Sequence, residues 1–279
     1  MEPALYIVAT PIGNLGDITR RALDVLAGCD LIAAEDTRRT GQLLRHEGID
    51  TPLLAYHEHS GAQVAANLVQ RIAVGGSIAL VSDAGTPMIS DPGYRLVRAV
   101  QEAGHAVVPI PGACAAIAAL SAAGLPSDRF SFQGFLPSRA EARKRRLEAL
   151  AVSPVTLIFY EAPHRLKATL ADMQEIVGGE REAAIAREIS KAYETIRRGA
   201  VSELCVWVGE DPNQTRGEIV LLLGPAPSKT ELVLDHQLAT LLESMAEHMP
   251  ARQAAKLIAA YSGLHSRQLY AYLLERRGE

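Results

Sequence analysis

Acids, bases and small residues collect at the ends of short apolar runs in this sequence. Glu35-Asp36-Thr37-Arg38-Arg39-Thr40 follows one run, Tyr160-Glu161-Ala162-Pro163-His164-Arg165 closes another, and Arg187-Glu188-Ile189-Ser190-Lys191 with Glu194 closes a third. Side chains of this kind can move protons or hold charge. Singly, each cluster reads equally well as a solvated ion pair of little energetic weight. A second set of turns is built from small residues: Thr10-Pro11-Ile12-Gly13-Asn14, Ser82-Asp83-Ala84-Gly85-Thr86-Pro87 with Ser90-Asp91-Pro92-Gly93, and Pro109-Ile110-Pro111-Gly112-Ala113-Cys114-Ala115. Small residues let a ligand approach the backbone and its free N–H groups. Any one of them is also the tight turn that every α/β protein needs. Together, at successive strand ends, they favour a site.

Several chemistries lose their usual anchor. No G-x-G-x-x-G follows the first apolar run, and G-x-x-x-x-G-K-[ST], H-E-x-x-H and G-x-S-x-G are absent. His57-Glu58-His59 is the one nominal metal triplet, and alternate residues of a strand or loop more often bind nothing. No metal is expected.

The elements that must position these turns alternate. Apolar runs at Leu5–Ala9, Asp30–Ala34, Pro52–Ala55, Ser77–Val81 and Ala106–Ile110 read as strands. Helical stretches lie between them: Asp17–Ala27, Arg38–Glu47, Val64–Val74 and Tyr94–Ala103. Near-continuously apolar strands separated by helices indicate a mostly parallel sheet covered on both faces. Beyond this region the pattern changes. Phe130–Phe135, Val155–Tyr160, Ala183–Glu188, Ala200–Val208 and Glu218–Leu223 read as strands, with a charged helix over Ala140–Leu150. The last two strands are expected to pair antiparallel across Gly209–Arg216, where Asp211-Pro212-Asn213 signals a turn. Pro225-Ala226-Pro227-Ser228 reads as a linker, and Leu232–Met249 and Pro250–Arg277 as helix only. The expected fold is two α/β domains, 1–115 with a mostly parallel sheet and 116–226 with a mixed sheet. A helix-turn-helix-like tail follows at 227–279, with Ser266 as a possible N-cap.

Composition sets the outer bounds. The 279 residues suit two domains or one with an appendage, and 48% hydrophobic against 22% charged residues excludes wholesale disorder. Met1–Tyr6 lacks the basic and apolar regions of a signal peptide, and no run is long enough to span a bilayer. Three dispersed cysteines, Cys29, Cys114 and Cys205, fit a reducing compartment. A soluble, cytoplasmic protein is expected.

In order and spacing, the motifs resemble those of the tetrapyrrole-methylase-type (class III) S-adenosylmethionine-dependent methyltransferases. The resemblance is carried by Val8–Thr19, Ala34–Arg38, Ser82–Pro87, Ser90–Gly93, Ile110–Ala113, Phe159–Arg165 and Arg187–Lys191. It runs from about residue 5 to 225, and is nearest to the branch that methylates a ribose 2′-hydroxyl in 16S rRNA. It implies two α/β domains with S-adenosyl-L-methionine in the cleft between them, and usually a homodimer. Carried over by position, it implies that Ile12, Ala84, Gly85, Thr86, Ile89, Cys114, Ala115, Tyr160 and Ile189 bind the cofactor. Three departures from the wider family point away from tetrapyrrole substrates and towards rRNA: the first turn Ala9–Asn14, Gly85-Thr86-Pro87 in place of Gly-Asp-Pro, and Cys114 where a hydroxyl residue is common. The implied substrate is a cytidine of 16S rRNA in the small ribosomal subunit, cytidine 1402 of the decoding centre.

A ribose hydroxyl is a poor nucleophile, so a general base is expected beside it. Glu35, Asp36, Asp83, Glu161, Lys191 and His57 are candidates, with Asp83, Glu161 and Lys191 preferred as the catalytic set. Arg38, Arg165 and Arg187 suit phosphate contacts, because guanidinium matches phosphate geometry. The chain carries a formal charge of −4, which argues against nonspecific polyanion binding. Residues 1–226 hold 22 cations against 26 acids, and the tail is neutral. Within the acidic body, Arg139–Arg146 holds five cations in eight residues. Arg143, Lys144, Arg145 and Arg146 read either as a solvated helix face or as a phosphate-tracking patch. Two rival functions stay open: methylation of a small molecule such as a tetrapyrrole, and a non-catalytic RNA-binding assembly factor.

Overall fold

Leu5–Val8 (β1), with its followers Arg20–Gly28 (α1), Leu31–Ala34 (β2) and Thr37–Glu47 (α2), opens a strictly alternating chain. Leu53–Ala55 (β3), Ala62–Ala73 (α3), Ile78–Val81 (β4), Tyr94–Glu102 (α4) and Val107–Ile110 (β5) continue it. The computed structural model describes residues 1–57, 60, 62–227, 234–264 and 266–277. Every residue of β1, β2 and β4 is buried, as strands covered by helices on both faces must be. All pairs in this sheet are parallel, in the order β3-β2-β4-β1-β5. Leu26 and Leu44 of α1 and α2 pack on one face. Leu68, Ile72, Leu96 and Val100 of α3 and α4 pack on the other. Local chemistry sets the helix starts: Thr19 caps the Ala22 N–H at 3.1 Å, and Asp36 caps the Arg38 N–H at 2.8 Å. Gly48, left-handed at φ +68°, stops α2.

The adjacent strands β1 and β4 send their connections in opposite directions across the sheet. That is a topological switch point, where open parallel sheets place ligands beyond the carboxyl ends of their strands. The loops leaving these two strands are the first and second small-residue turns. They are stitched together by paired hydrogen bonds, Thr10 N–H to Gly85 O at 2.9 Å and Gly85 N–H to Thr10 O at 3.0 Å.

A second sheet follows Ala115–Ala122 (α5). Its elements are Phe130–Phe135 (β6), Ala140–Leu150 (α6), Thr156–Glu161 (β7), Leu166–Val177 (α7), Glu182–Arg187 (β8), Thr195–Ala200 (β9), Val201–Glu210 (α8) and Ile219–Leu223 (β10). The strand order is β6-β7-β10-β8-β9, parallel only between β6 and β7. Helices α6, α7 and α8 cover one face through Leu147, Leu170, Met173 and Leu204. Helix α5 covers the other through Ala116, Ala119 and Leu120.

One strand expectation is overturned. Ala200–Val208 is not a strand: the chain turns into α8 at Val201. The apolar run Leu204–Val208 reads as a buried strand by composition, but Val201, Leu204 and Val208 are the buried positions, which is helical spacing. The neighbour of β8 is instead β9, whose Arg197-Arg198-Gly199 hides it from an apolar scan. Consequently β10 pairs with β7 and β8, not across Gly209–Arg216. The turn signal itself is real, since Asp211 caps the Asn213 N–H at 2.9 Å after the helix.

By its contacts the chain divides into Met1–Ala226, which holds both sheets, and Pro227–Glu279. The latter contains His236–His248 (α9), Ala251–Ser262 (α10) and Ser266–Arg277 (α11), packed through Leu242, Ala246, Ala255, Ile258, Leu269 and Leu273. Gly263, at φ +73°, makes the turn between α10 and α11. Helix α11 begins at Ser266 itself, and the residue before it is residue 265. That residue, Ser228, Lys229 and the side chains of Arg267 and Arg277 lie outside the described residues. No helix among the described residues is long and apolar enough to cross a membrane.

Candidate active site

The switch-point loops of the first sheet face the carboxyl end of β7 and the loop after β8 across a cavity of about 400 Å3. This lies within the range of about 300–1,000 Å3 usual for small-ligand sites. Ile12, Ala84, Gly85, Thr86, Ile89, Cys114, Ala115, Tyr160 and Ile189 all line it. Nine residues assigned to the cofactor from sequence are thus brought together from five separate segments. Asp91, Phe135, Glu161, Gly217 and Glu218 complete much of the wall.

Backbone geometry explains why small residues stand there. Gly85 is left-handed at φ +78°, and a Cβ on it would sit 3.3 Å from Ile12 Cγ2. A Cβ on Gly112 would come within 2.8 Å of the Ala9 Cβ. The Thr86 hydroxyl donates to Ala113 O at 2.9 Å, tying the second turn to the third. Among the described residues four non-glycine residues have positive φ, namely Met88, Ser90, Glu188 and Ser190, and all lie in the two loops facing each other over this cavity. Such conformations cost about 1–3 kcal/mol each and persist where surrounding structure imposes them, commonly at functional sites.

Polar groups divide into those already committed and those facing the cavity. Glu161, though it lines the wall, is almost wholly enclosed. Its Oε1 accepts from the Ala162 N–H at 2.7 Å and pairs with Arg165 at 3.0 Å, while its Oε2 accepts from Thr169 at 2.6 Å. Lys191 lies at the rim, its ammonium shared between Glu188 at 2.9 Å and Glu218 at 3.1 Å. Burial alone would lower its pKa, but the two carboxylates outweigh burial and raise it. Burial pushes Glu188 up, yet the Glu218 N–H and the ammonium hold it below the usual carboxylate range. Asp83 does not face this cavity. It lines a neighbouring hollow with Thr10, Arg39, Gln42 and His46, accepts from the Asp36 N–H at 3.0 Å and pairs with Arg39 at 3.2 Å. Glu35 accepts from the Asp83 N–H at 3.2 Å. The Asp36 carboxylate is held far down by hydrogen bonds from the Arg38 side chain and backbone.

Two cavity groups are displaced upward. Burial raises the Tyr160 phenol well above its ordinary value, so it stays neutral, with its ring edge-on to Phe132 at 4.9 Å. Burial, reinforced by the charges of Glu35 and Asp83, pushes Asp91 up to about 6. From sequence, Asp91 counts only as part of a turn valued for its backbone, and its carboxyl has no assigned role. The signal available was an acid beside Pro92-Gly93 in a ligand-facing turn.

The cations expected to meet RNA separate sharply. Arg38 is 87% exposed and Arg145 76% exposed. Lys144 leans on Glu175 at 2.6 Å, and Arg146 donates to Gln133 at 2.6 Å. Arg143 is buried, its Nε 2.6 Å from Asp172 Oδ2. Arg187 is buried too, donating to Tyr193 O and Thr195, and Arg165 is turned onto Glu161 and Leu136 O. A face assigned from linear charge density therefore corrects to its outer members, because helix α6 points Arg143 inward. His57 is held by the Ser60 hydroxyl, while Glu58 and His59 lie outside the described residues. Among the described residues no three His, Cys, Asp or Glu gather as metal ligands would.

Two α/β sheets closing over a ligand-sized cavity at a switch point define a cleft enzyme's architecture. Solved structures share it: a uroporphyrin-III-C-methyltransferase from Thermus thermophilus (TM-score 0.55, 22% identity, covering 80% of this chain and 95% of that one), and a cobalamin biosynthetic enzyme, cobalt precorrin-4 methyltransferase (TM-score 0.58, 17% identity, 80% and 95%). The family model for Tetrapyrrole (Corrin/Porphyrin) Methylases matches residues 4–205, and a model described as the RsmI C-terminal HTH domain matches residues 233–277. The chain belongs to the tetrapyrrole methylase family. It is 52% identical to the Ribosomal RNA small subunit methyltransferase I of Vibrio cholerae over 99% of this chain and 96% of that protein. It is 51% identical to the protein of the same name from Pseudomonas aeruginosa, over 99% and 98%.

Proposed function

We propose that this chain transfers a methyl group from S-adenosyl-L-methionine to the ribose 2′-hydroxyl of a cytidine in 16S rRNA, cytidine 1402 of the decoding centre. The observation that carries the reading is the convergence of the nine cofactor-assigned residues on one cavity, in a chain about half identical over nearly its whole length to rRNA small-subunit methyltransferases. A cytoplasmic homodimer acting on the small ribosomal subunit belongs to the same proposal. So do the functional divisions at 1–115, 116–226 and 227–279.

The residues present fit this cofactor. The cavity floor at Ile12 and Gly85 is a close-approach cradle that a side chain on residue 85 would narrow. Tyr160, Ile189 and Cys114 make the wall largely apolar, and Asp91 places on it a carboxylate with no cation paired to it among the described residues, suiting a ligand with a cationic centre. When bound, the cofactor supplies an electrophilic methyl carbon. The part of the chain's own residues would be to orient the acceptor hydroxyl, and positioning supplies much of the rate. The loops after β1 and β8 touch, with Lys191 laid across Gly13 and the Ser190 hydroxyl meeting Asp17. Arg38, Lys144, Arg145 and Arg146 are the cations proposed to meet phosphates.

The test is incubation with labelled cofactor and small ribosomal subunits or free rRNA, followed by nucleoside mapping. Label on one 2′-O-methylcytidine is expected. Label confined to base atoms, or transferred only to a tetrapyrrole, would overturn the assignment.

A further inference from the structure

We propose that the carboxylate of Asp91 is the general base that takes the proton from the methyl-accepting hydroxyl. The inference rests on the methyl-transfer reading above and names the one acid left free to serve it. Five titratable side chains line the cavity: Asp91, Cys114, Tyr160, Glu161 and Glu218. Both oxygens of Glu161 are already taken by Ala162, Arg165 and Thr169. Glu218 is 72% exposed and spends its Oε2 on Lys191. Tyr160 is a neutral phenol, and a thiolate at Cys114 would itself compete for the methyl carbon. Asp83 and Lys191, the favoured bases by sequence, are not on the cavity wall.

Asp91 is held in place from both sides. Ser90 before it is forced to φ +70°, Pro92 follows, and Gly93 packs so closely that a Cβ there would lie 2.9 Å from Leu80 Cδ2. The Ser82 hydroxyl, which donates to Ala84 O at 3.3 Å, favours the Asp91 carboxylate but does not outweigh its burial. The charged and titratable groups around it come from three elements. Glu35 follows β2, Asp83 follows β4 and is paired with Arg39 of α2, and Tyr160 lies on β7. Arg38 and Arg39 are engaged by Asp36 and Asp83, and burial, reinforced by the charges of Glu35 and Asp83, raises Asp91 to about 6. Such a base is still roughly nine-tenths ionised at pH 7, yet basic enough to accept a proton.

The step balances within the cavity. The hydroxyl oxygen forms the new bond to the methyl carbon, its proton passes to the Asp91 carboxylate, and the electron pair of the broken carbon–sulfur bond stays on sulfur. The neutral acid then returns the proton to solvent.

The experiment compares wild type, Asp91→Asn and Asp91→Glu in two readouts. The first is calorimetric titration with S-adenosylhomocysteine. The second is methyl transfer to small subunits from about pH 5 to about pH 8. The wild-type rate should rise with pH through about 6 and level off. Asp91→Asn should bind S-adenosylhomocysteine within about threefold of wild type while losing roughly 10²–10⁴ in rate and the pH limb, with partial recovery in Asp91→Glu. Transfer by Asp91→Asn within tenfold of wild type, or a limb that survives it, would overturn Asp91 alone. Wild type that binds no S-adenosylhomocysteine overturns the methyl-transfer reading and the base with it. Should Asp91→Asn not fold, carboxyl-carbon NMR of the wild type decides: a midpoint near 6 supports the assignment, and one in the ordinary range of about 4 sinks it.

Discussion

Arginine 143 lies in the densest run of positive charge in the chain, yet its side chain is 5% exposed. Replacing it by alanine should therefore damage stability and leave RNA affinity to its neighbours. Its Nε is 2.6 Å from Asp172 Oδ2, and its Nη1 donates to Ser138 O at 3.3 Å, which ties helix α6 to α7 and to its own entry turn. Removing one partner of a buried pair costs about 3–5 kcal/mol, because the remaining charge is left in a poorly solvating interior. Lys144, 3.9 Å from Asp172 Oδ1, can recover part of that, so the lower end, about 3 kcal/mol, is expected. With a urea dependence of about 3 kcal/mol per molar, the unfolding midpoint should fall by about 1 M. Circular dichroism in urea measures it, and the double variant Arg143→Met/Asp172→Leu should regain most of the loss, since an apolar pair removes both charges. A loss below about 1 kcal/mol with a marked drop in RNA affinity would refute the reasoning and return Arg143 to the RNA face.

Arg145, by contrast, is largely exposed with only a 3.6 Å pairing to Glu141. Arg145→Ala should change stability by less than about 0.5 kcal/mol, while reducing the slope of log affinity for rRNA against log salt by about one; filter binding across a salt series checks both the affinity and the slope. Gly112→Ala should cost about 1–3 kcal/mol through the clash with Ala9, read as a lowered thermal midpoint, and an unchanged midpoint would show that the close approach does not exist. Lys191→Met keeps the alkyl stem over Gly13 but releases Glu188 and Glu218, so steady-state kinetics should show a raised KM for the cofactor with kcat held; a hundredfold fall in kcat at constant KM would instead make the ammonium a catalytic group. Asp91 binds its proton more readily in the folded chain than unfolded, so its ionisation opposes folding at neutral pH and that opposition fades as pH falls from about 6 towards the unfolded value. Asp91→Asn should accordingly melt above wild type at pH 7, with the gap closing in acid, and calorimetric melts at the two pH values measure it.

Local rules made the first sheet legible. Alternating apolar strands and helices, with Thr19 and Asp36 as caps, imply a parallel covered sheet, and the small-residue turns after β1, β4 and β5 mark where its ligand should lie. The nine residues that line the cavity are legible through the family resemblance, which carries them over by position on motifs contiguous in sequence. Helix α8 resembles a strand for a local reason as well: its run Leu204–Val208 is apolar at every position, so composition obscures the period that burial at Val201, Leu204 and Val208 reveals.

The charged residues depended on geometry that no local pattern carries. Residue type and spacing in the sequence determined the fold class, the turns and the segments that meet at the cavity. Only the tertiary structure decided which charges are spent. It turns Arg143 and Arg187 inward, closes Glu161 within its own hydrogen bonds, sends Asp83 to the neighbouring hollow and leaves Asp91 on the cavity wall. The reason is physical. A strand's apolar periodicity is written in adjacent residues, whereas the solvation and pairing of a charge depend on partners such as Asp172 for Arg143, or Glu35 for Asp91, that are distant in the chain and adjacent only once it has folded.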